Sequence, residues 1–561
     1  MLNQPHSGDY ETPSPPHPIR KKSALMWLFR ILALFYCGVG LYYFGWRLWS
    51  VAHCFSFITL VFFIAEILLF IGSLFRIPSY WSYKDSAPQR PVHLLSDIRE
   101  LNPGEADGPV SIALFIATHN EPLSILKQTL MDCTHMTYPY PDVVINTYLL
   151  DDGHSNPDEI SALCSQYNAV YIRKKDNVGY KAGNLNNAFH QTNEDLIVIL
   201  DADTRPFPDF CGHTSGYFRD EELAWVQTPQ WYNDTSAPLL PSAYLQYFFG
   251  KTGRYIGKKI ELLTFQKLFL NKDIYASRPK FFYDAILRNR NAYNAVFSCG
   301  AGSVYRRTSL EKYDALYPNT PGPFHYHISE DLYNSMLMHN AGMRSLYHHY
   351  PECQMLSPQD LYSWIKQQKR YASGAINIVL EHNPLRKKGL SLIQKILYFS
   401  VGYSYFTPLL AYVFFLAPLL YFLTQTNVIP KFDEGFIPLF AMYQSLNLST
   451  FILANWGIST KRPDQKFWAS FSYVTLAWLQ NLRKEKLAFN VTPKERIQKQ
   501  SFRFIIPHLL LIIAFFVVPF HYFSSHPVKP LSLFYSFWCL YFIFQLNQFV
   551  RVWLWDKVRK D

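Results

Sequence analysis

Residues 76–383 are expected to fold as an α/β domain with a doubly wound, mostly parallel sheet, inserted between transmembrane α-helices. Three observations lead there. The run Leu196-Ile197-Val198-Ile199-Leu200 stops abruptly at two carboxylates, Asp201 and Asp203. A short, uninterrupted apolar run marks a strand covered on both faces of a parallel sheet, and a polar cluster just past its C-terminal end is where open α/β sheets receive ligands. The same pattern occurs twice upstream: 111–117 leads into Thr118-His119-Asn120-Glu121, and 143–150 leads into Asp151-Asp152-Gly153. Finally, apolar stretches near the ~20 residues needed to cross hydrocarbon lie on both sides of this region.

Two such stretches precede the domain, at 24–43 and 55–75, and four follow, at 406–423, 436–455, 504–523 and 533–552. The first lacks a small-residue cleavage site and is joined closely to the second, so it reads as an anchor and not a removable leader. With the N-terminus inside, the short outer loops carry only Arg47, Lys431 and Lys529 as basic residues. The inner side holds Arg20-Lys21-Lys22, Arg386-Lys387-Lys388, the basic stretch 461–503 and the C-terminus. That asymmetry predicts a cytosolic α/β domain in a multi-pass membrane protein. The net charge of +11 is then a positive-inside signature. Nucleic acid is not expected as a partner, because the basic residues flank spans and do not interleave with a soluble fold.

The chain divides accordingly. A disordered tail (1–23) is followed by two transmembrane helices (24–75), the cytosolic domain (76–383) and interfacial helices (384–405). Then come two spans (406–455), a cytosolic interfacial helix with a loop (456–503), two more spans (504–553) and a cytosolic tail (554–561). Eight cysteines show no Cys-x-x-Cys pair; Cys133, Cys164, Cys211, Cys299 and Cys353 would face the cytosol, where disulfides are rare, and read as core residues.

Within the domain, a helix is expected near Ser124, a third strand at 169–173, and a glycine-bearing turn into a helix at Gly179-Tyr180-Lys181-Ala182-Gly183-Asn184. Strands alternating with helices give the parallel sheet. Asp201 and Asp203 suit Mg²⁺ or Mn²⁺ held against a diphosphate, although an Asp-x-Asp also caps helices. Phe297-Ser298-Cys299-Gly300-Ala301-Gly302-Ser303 packs small residues that permit close approach of a ligand, or make a tight turn. Ser329-Glu330-Asp331 opens a helical stretch and is also a plain N-cap pattern. Helical spacing puts Gln367, Arg370 and Tyr371 on one face; the competing reading is a basic helix on the inner leaflet.

In this order the motifs resemble the signature of processive family 2 glycosyltransferases: Asp151–Gly153, Lys181–Asn184, Asp201–Asp203, Ser329–Asp331 and Gln367–Tyr371. Phe489-Asn490-Val491-Thr492-Pro493-Lys494 looks like the Phe-x-Val-Thr-x-Lys gating loop of bacterial cellulose synthase catalytic subunits. The resemblance covers roughly 111–500 and implies a GT-A fold with Rossmann-like topology. It implies transfer of glucose from UDP-glucose to a growing β-glycan acceptor, with inversion, and translocation of the product. It further implies Asp201 and Asp203 as Mg²⁺ (or Mn²⁺) ligands, Asp331 with Glu330 as the catalytic acids, and Thr118, Asn120, Glu121, Asp151, Asp152 and Lys181 on the nucleotide side. Gln367, Arg370 and Tyr371 would meet diphosphate and acceptor, while Phe489, Val491, Thr492 and Lys494 would close over the bound UDP-sugar.

Departures from the pattern are informative. Tyr371 stands where the family usually has Trp, Ser329 where it has Thr, and Thr204 where cellulose synthases often have His. Leu332 follows Asp331, where chitin, hyaluronan and Nod-factor synthases tend to carry Arg, which favours a glucan over an aminosugar polymer. A curdlan-type β-1,3-glucan or mixed-linkage synthase fits the same features. More remote are a UDP-N-acetylglucosamine-using synthase and a non-processive transferase that charges a lipid carrier. No PilZ domain is expected after the last span, so control by cyclic-di-GMP through this chain is not anticipated. Accessory or periplasmic subunits are expected as partners. Tyr405, Tyr412, Tyr443, Gln444 and Asn447 are candidates to line a polymer path, or to join helices.

Overall fold

The computed structural model describes residues 22–232, 240–264, 281–430, 435–458, 466–485 and 502–558, together with Pro18, Asp234 and Phe432. The domain is built on a seven-stranded sheet of order β3-β2-β1-β4-β8-β6-β9. Its strands are β1 (Ser111–Thr118), β2 (Val144–Asp151), β3 (Val170–Arg173), β4 (Leu196–Asp201), β6 (Leu223–Gln227), β8 (Ser303–Arg306) and β9 (Arg344–Tyr347). β1 pairs in parallel with β2 and β4, and β6 with β9; β8 runs antiparallel between β4 and β6. A second, three-stranded sheet has the order β5-β10-β7, from Arg205–Pro206, Cys353–Met355 and Gln230–Tyr232.

Period-2 alternation within the apolar runs feeds two cores. Leu114, Ile116, Val198 and Leu200 pack on one face of the large sheet, while Ala113, Phe115, Ile197 and Ile199 pack on the other with Trp225 and Tyr305. Both faces are therefore covered, as the unbroken hydrophobic runs require. Arg306 and Arg307 are buried and spent on structure: Arg306 Nη2 donates to Phe218 O at 2.6 Å, and Arg307 Nε donates to Glu194 O at 2.6 Å.

Among the described residues, six helices are long and apolar enough to cross a membrane: Ser23–His53, Phe57–Trp81, Leu392–Thr424, Phe436–Ala454, Phe502–Phe523 and Pro530–Leu554. The chain is a multi-pass membrane protein. The third helix departs from expectation, because the stretch assigned to interfacial helices at 384–405 is largely its first half. Leu392–Phe406 runs through a 3₁₀ turn, Thr407–Leu410, into Ala411–Thr424. Its polar opening is held by the domain. Gln394 Nε2 donates to Asn294 O at 2.5 Å, and Tyr398 OH pairs with His339 Nδ1 at 2.7 Å.

Packing within the bundle places two polar residues. Arg47 is not in an outer loop; it is fully buried within Ser23–His53 and pairs with Glu66 of the second helix at 2.7 Å. An ion pair satisfied in this way is how a bundle tolerates charge at membrane depth. Tyr443 lies in an aromatic stack, 4.9 Å from the Tyr43 ring and nearly parallel to it, an arrangement that joins helices.

The helix Leu361–Glu381 couples domain to membrane. Asp360 caps it, accepting from Ser363 N at 2.7 Å. Ala372 and Ile376 pack on Ala477 of the helix Phe471–Leu482, and Leu361, Trp364 and Ile365 reach Phe549 and Val552 near the end of the last span. Gly374 permits the approach on the opposite side: a Cβ there would lie 2.0 Å from Ser329 Oγ and 2.8 Å from Ser329 Cβ. Only a glycine lets this helix press against Ser329-Glu330-Asp331.

Candidate active site

Strand register gathers the site. Thr118 is opposite Asp151 and Ala117 opposite Asp201, so β1, β2 and β4 end together at one edge of the sheet. The cleft beyond that edge is lined by Thr118, His119, Glu121 and Asp152, then Lys181, Asp201 and Asp203, then Glu330 and Asp331, and on its far wall Gln367, Arg370 and Tyr371. Segments far apart in sequence thus supply one cavity.

On the β1 side, Glu121 Oε2 accepts from Thr118 Oγ1 at 2.7 Å and from His119 N at 2.5 Å. His119 Nδ1 lies 2.9 Å from Asp152 Oδ1. Burial raises the carboxyls of Glu121 and Asp152 above their ordinary range, against these hydrogen bonds. Two residues expected to bind nucleotide stand elsewhere. Asp151 is buried behind the cleft, accepting from Gly153 N at 2.8 Å and Tyr171 OH at 2.6 Å. Asn120, at φ +64°, turns its Oδ1 to the amides of His154 and Ser155 at 2.7 and 2.9 Å. Both shape the loops that present Thr118 and Asp152. Pairing fixed them there: a strand-end Asp that satisfies the turn after it cannot also face the cavity.

Lys181 enters from the first turn of the helix Tyr180–Phe189, which Gly179 starts at φ +81°. Its ammonium is ion-paired with Asp201. Burial opposes the charge on Lys181, but Asp201, Glu330 and Asp331 outweigh it and its pKa is raised. The turn 297–303 packs over this group. A Cβ on Gly300, at φ +77°, would come within 3.0 Å of Lys181 Nζ and 3.9 Å of Asp331 Oδ2, so ammonium and acid converge on one point.

Glu330 and Asp331 are the first residues of the helix Glu330–Asn340. Ser329 does not cap this helix with its side chain; instead Asp331 Oδ1 accepts from Leu332 N at 2.8 Å. Burial raises both carboxyls, and their proximity makes the second ionisation harder still, against the pull of Lys181 and Arg370. An ordinary Asp, near ~3.9, is a feeble base; this pair is tuned toward usefulness. Because the folded chain holds this proton more tightly than the unfolded chain, the pair costs stability as pH rises from the unfolded pKa through the raised one. The acid limb of kcat/KM against pH should therefore lie above an isolated carboxylate's range. Glu330→Gln should move it toward acid; a limb left in place would separate the two acids.

Asp203 is 3% exposed, and its Oδ2 accepts from Leu356 N at 3.3 Å; the Asp201 side chain is 38% exposed. Among the described residues no cluster of three or more His, Cys, Asp or Glu is arranged to hold a metal. Two hard carboxylates on one strand end nevertheless fit Mg²⁺ or Mn²⁺, which take one or two protein ligands and complete their shell with substrate phosphates and water.

On the far wall, Gln367, Arg370 and Tyr371 share the cleft face, with the Arg370 guanidinium 5.5 Å from the Tyr371 ring centroid. Gln368 points the other way and accepts from Lys466. Several cavity residues were not singled out from sequence. Gln230, Tyr232 and Met355 come from the small sheet, with Leu356 just past it; there β7 and β10 pair in parallel across more than a hundred residues, and neither strand has a periodic signal. Cys299, expected to fill the core, lines the cavity beside Gly300; the small-residue turn was the available clue. Phe489, Val491, Thr492 and Lys494 lie outside the described residues.

A mostly parallel sheet presenting paired carboxylates, a lysine and an arginine to one cleft, with long apolar helices at both ends, defines a GT-A-like, membrane-bound glycosyltransferase. The chain belongs to glycosyltransferase family 2. A model described as glycosyltransferase like family 2 matches residues 109–374, and one described as glycosyl transferase family group 2 matches 273–550. The chain is 29% identical over 416 residues to a cellulose synthase catalytic subunit [UDP-forming] of Pseudomonas fluorescens, covering 72% of this chain and 50% of that protein. To the cellulose synthase 1 catalytic subunit [UDP-forming] of Komagataeibacter xylinus it is 27% identical over 395 residues, 70% of this chain and 48% of that one. It spans about half the length of these relatives. The solved mannosyltransferase PcManGT of Pyrobaculum calidifontis, in complex with GDP-Man and Mn²⁺, is 14% identical with a TM-score of 0.48, covering 76% of this chain and all of that one.

Proposed function

We propose that the protein is a processive, inverting β-glycosyltransferase that polymerises glucose from UDP-glucose on the cytosolic face of a bacterial inner membrane and passes the glucan across it. The observation that carries this reading is the convergence of Asp331 with Lys181, Asp201 and Arg370 on one cleft, whose far wall is the helix packed against the membrane bundle. An acceptor hydroxyl entering from the Tyr371 side meets Asp331, which takes its proton as oxygen attacks the anomeric carbon and the bond to UDP breaks. General-base help of this kind contributes ~10²–10⁴ in rate. Lys181 and the forked Arg370 face the departing diphosphate; an arginine fork matches two phosphate oxygens at once. A divalent cation on Asp201 and Asp203 would supply further neutralisation of the leaving group.

Tyr371 offers the acceptor ring a stacking surface, 41% exposed at the cavity wall. Tyr405 lies beyond it, its carbonyl accepting from Trp478 Nε1 at 2.9 Å, where a polymer would enter the bundle. Phe489, Val491, Thr492 and Lys494 are assigned to closure over the donor. Asn120 and Asp151 keep a supporting role, and accessory subunits would receive the product.

Purified protein in lipid should convert UDP-glucose, with Mg²⁺ or Mn²⁺, into a high-molecular-weight product digestible by a β-1,4-, a β-1,3- or a mixed-linkage glucanase, and chelation should stop it. Short lipid-linked products, or turnover of UDP-N-acetylglucosamine alone, would overturn the assignment.

A further inference from the structure

The segment Pro241–Leu263 is a helical hairpin that stands apart from the catalytic cleft. Gly250, at φ +57° and ψ −138°, reverses the chain. The two arms press together through glycines: a Cβ on Gly253 would lie 2.0 Å from Leu245 O, and one on Gly257 would lie 2.3 Å from Ser242 Cα. Glu261 Oε1 closes the base of the hairpin by accepting from Ser242 N at 2.7 Å. Such close packing makes a rigid unit with one face used up.

The other face of the second arm is the notable one. Leu263 is 81% exposed, Leu262 70%, Tyr255 64% and Ile256 47%, with Phe249 at the tip 65% exposed. Lys251, Arg254, Lys258 and Lys259 are exposed on the same arm. At 3.6 residues per turn, Arg254, Lys258 and Lys251 form one flank. Tyr255, Leu262, Leu263 and Ile256 form the adjoining flank, with Lys259 among them, its Nζ 5.6 Å from the Tyr255 centroid. A basic flank beside an apolar one is the pattern of a helix lying in a membrane interface.

On either side of the hairpin in sequence, the described chain lies beside the apolar helices. Before it, Asp234 accepts from Ser357 N and Gln359 Nε2 at 3.0 Å, next to Leu361 and Tyr362, and Tyr362 packs 6.0 Å from Phe504 of the fifth span. After it, Phe281 lies 6.1 Å from Phe451, near the domain-side end of the fourth span.

We propose that the 241–263 hairpin is an interfacial foot that binds anionic phospholipid headgroups on the domain's side of the bilayer, its cations on phosphates and its apolar flank in the upper acyl region. The test uses the full chain in nanodiscs, with the photocrosslinker benzoylphenylalanine at position 255. In discs containing phosphatidylglycerol, irradiation should give a phospholipid adduct by mass spectrometry, and amide exchange over 251–263 should be slower than in phosphatidylcholine alone. The variant K251E/R254E/K258E/K259E should lose roughly tenfold or more of the adduct while binding UDP normally, which shows that it is folded. Adducts only to a second copy or another protein, or exchange indifferent to lipid charge, would overturn the proposal. Neither readout depends on which polymer is made.

Discussion

Asp331→Asn should bind UDP as tightly as the parent and transfer sugar ~10²–10⁴-fold more slowly. The substitution keeps shape and keeps an acceptor for Leu332 N, so the helix start at Glu330 is undisturbed. It removes one of two acids that burial already disfavours as anions, so the fold should not weaken. What it takes away is the group that receives the proton. UDP release under saturating donor, with calorimetric UDP binding on the same preparation, separates the two effects. A variant that elongates glycan near the parental rate would remove Asp331 from the chemistry and leave Glu330 as the acid to examine.

Arg370→Ala should fail at an earlier step. The guanidinium stands on the cleft wall facing Lys181 and the acid pair, where on the proposed reading it would meet a diphosphate and not a leaflet. Losing charge-assisted hydrogen bonds worth ~1.5–3 kcal/mol should weaken UDP binding by ~10–100-fold and depress transfer with it. Arg370→Lys should recover little, because a point charge does not replace a planar fork. If UDP affinity is unchanged while membrane extraction becomes easier, the helix is a basic surface element after all.

Much of the domain was legible because its signals are local. A strand buried in a parallel sheet is an apolar run, so 111–117 and 196–200 announced β1 and β4 to within a residue or two, while 143–150, interrupted by Asn146 and Thr147 and buried only at its end, announced β2 through its β-branched and aliphatic residues. A polar cluster after each strand end was likewise readable, as was the shared face of Gln367, Arg370 and Tyr371, since 3.6-residue periodicity is written in the spacing. The short strands β6, β8 and β9, and the small sheet that contributes Gln230 and Tyr232, were not, because strands of two to five residues carry almost no pattern and their pairing is made by distant chain.

Composition and order alone established that carboxylates, a lysine and an arginine would be available beside a membrane bundle. Which of them share a cavity was left to packing. Asp151 and Asp152 are neighbours in sequence, yet one braces a turn and the other faces the cleft, since successive side chains leave a strand end in opposite directions. Arg47 reads as a loop residue until Glu66 is found across from it, and Gly374 reads as a weak helix position until Ser329 is found pressed against it. Each outcome turned on a contact between segments far apart along the chain, and that information exists only once the backbone has closed on itself.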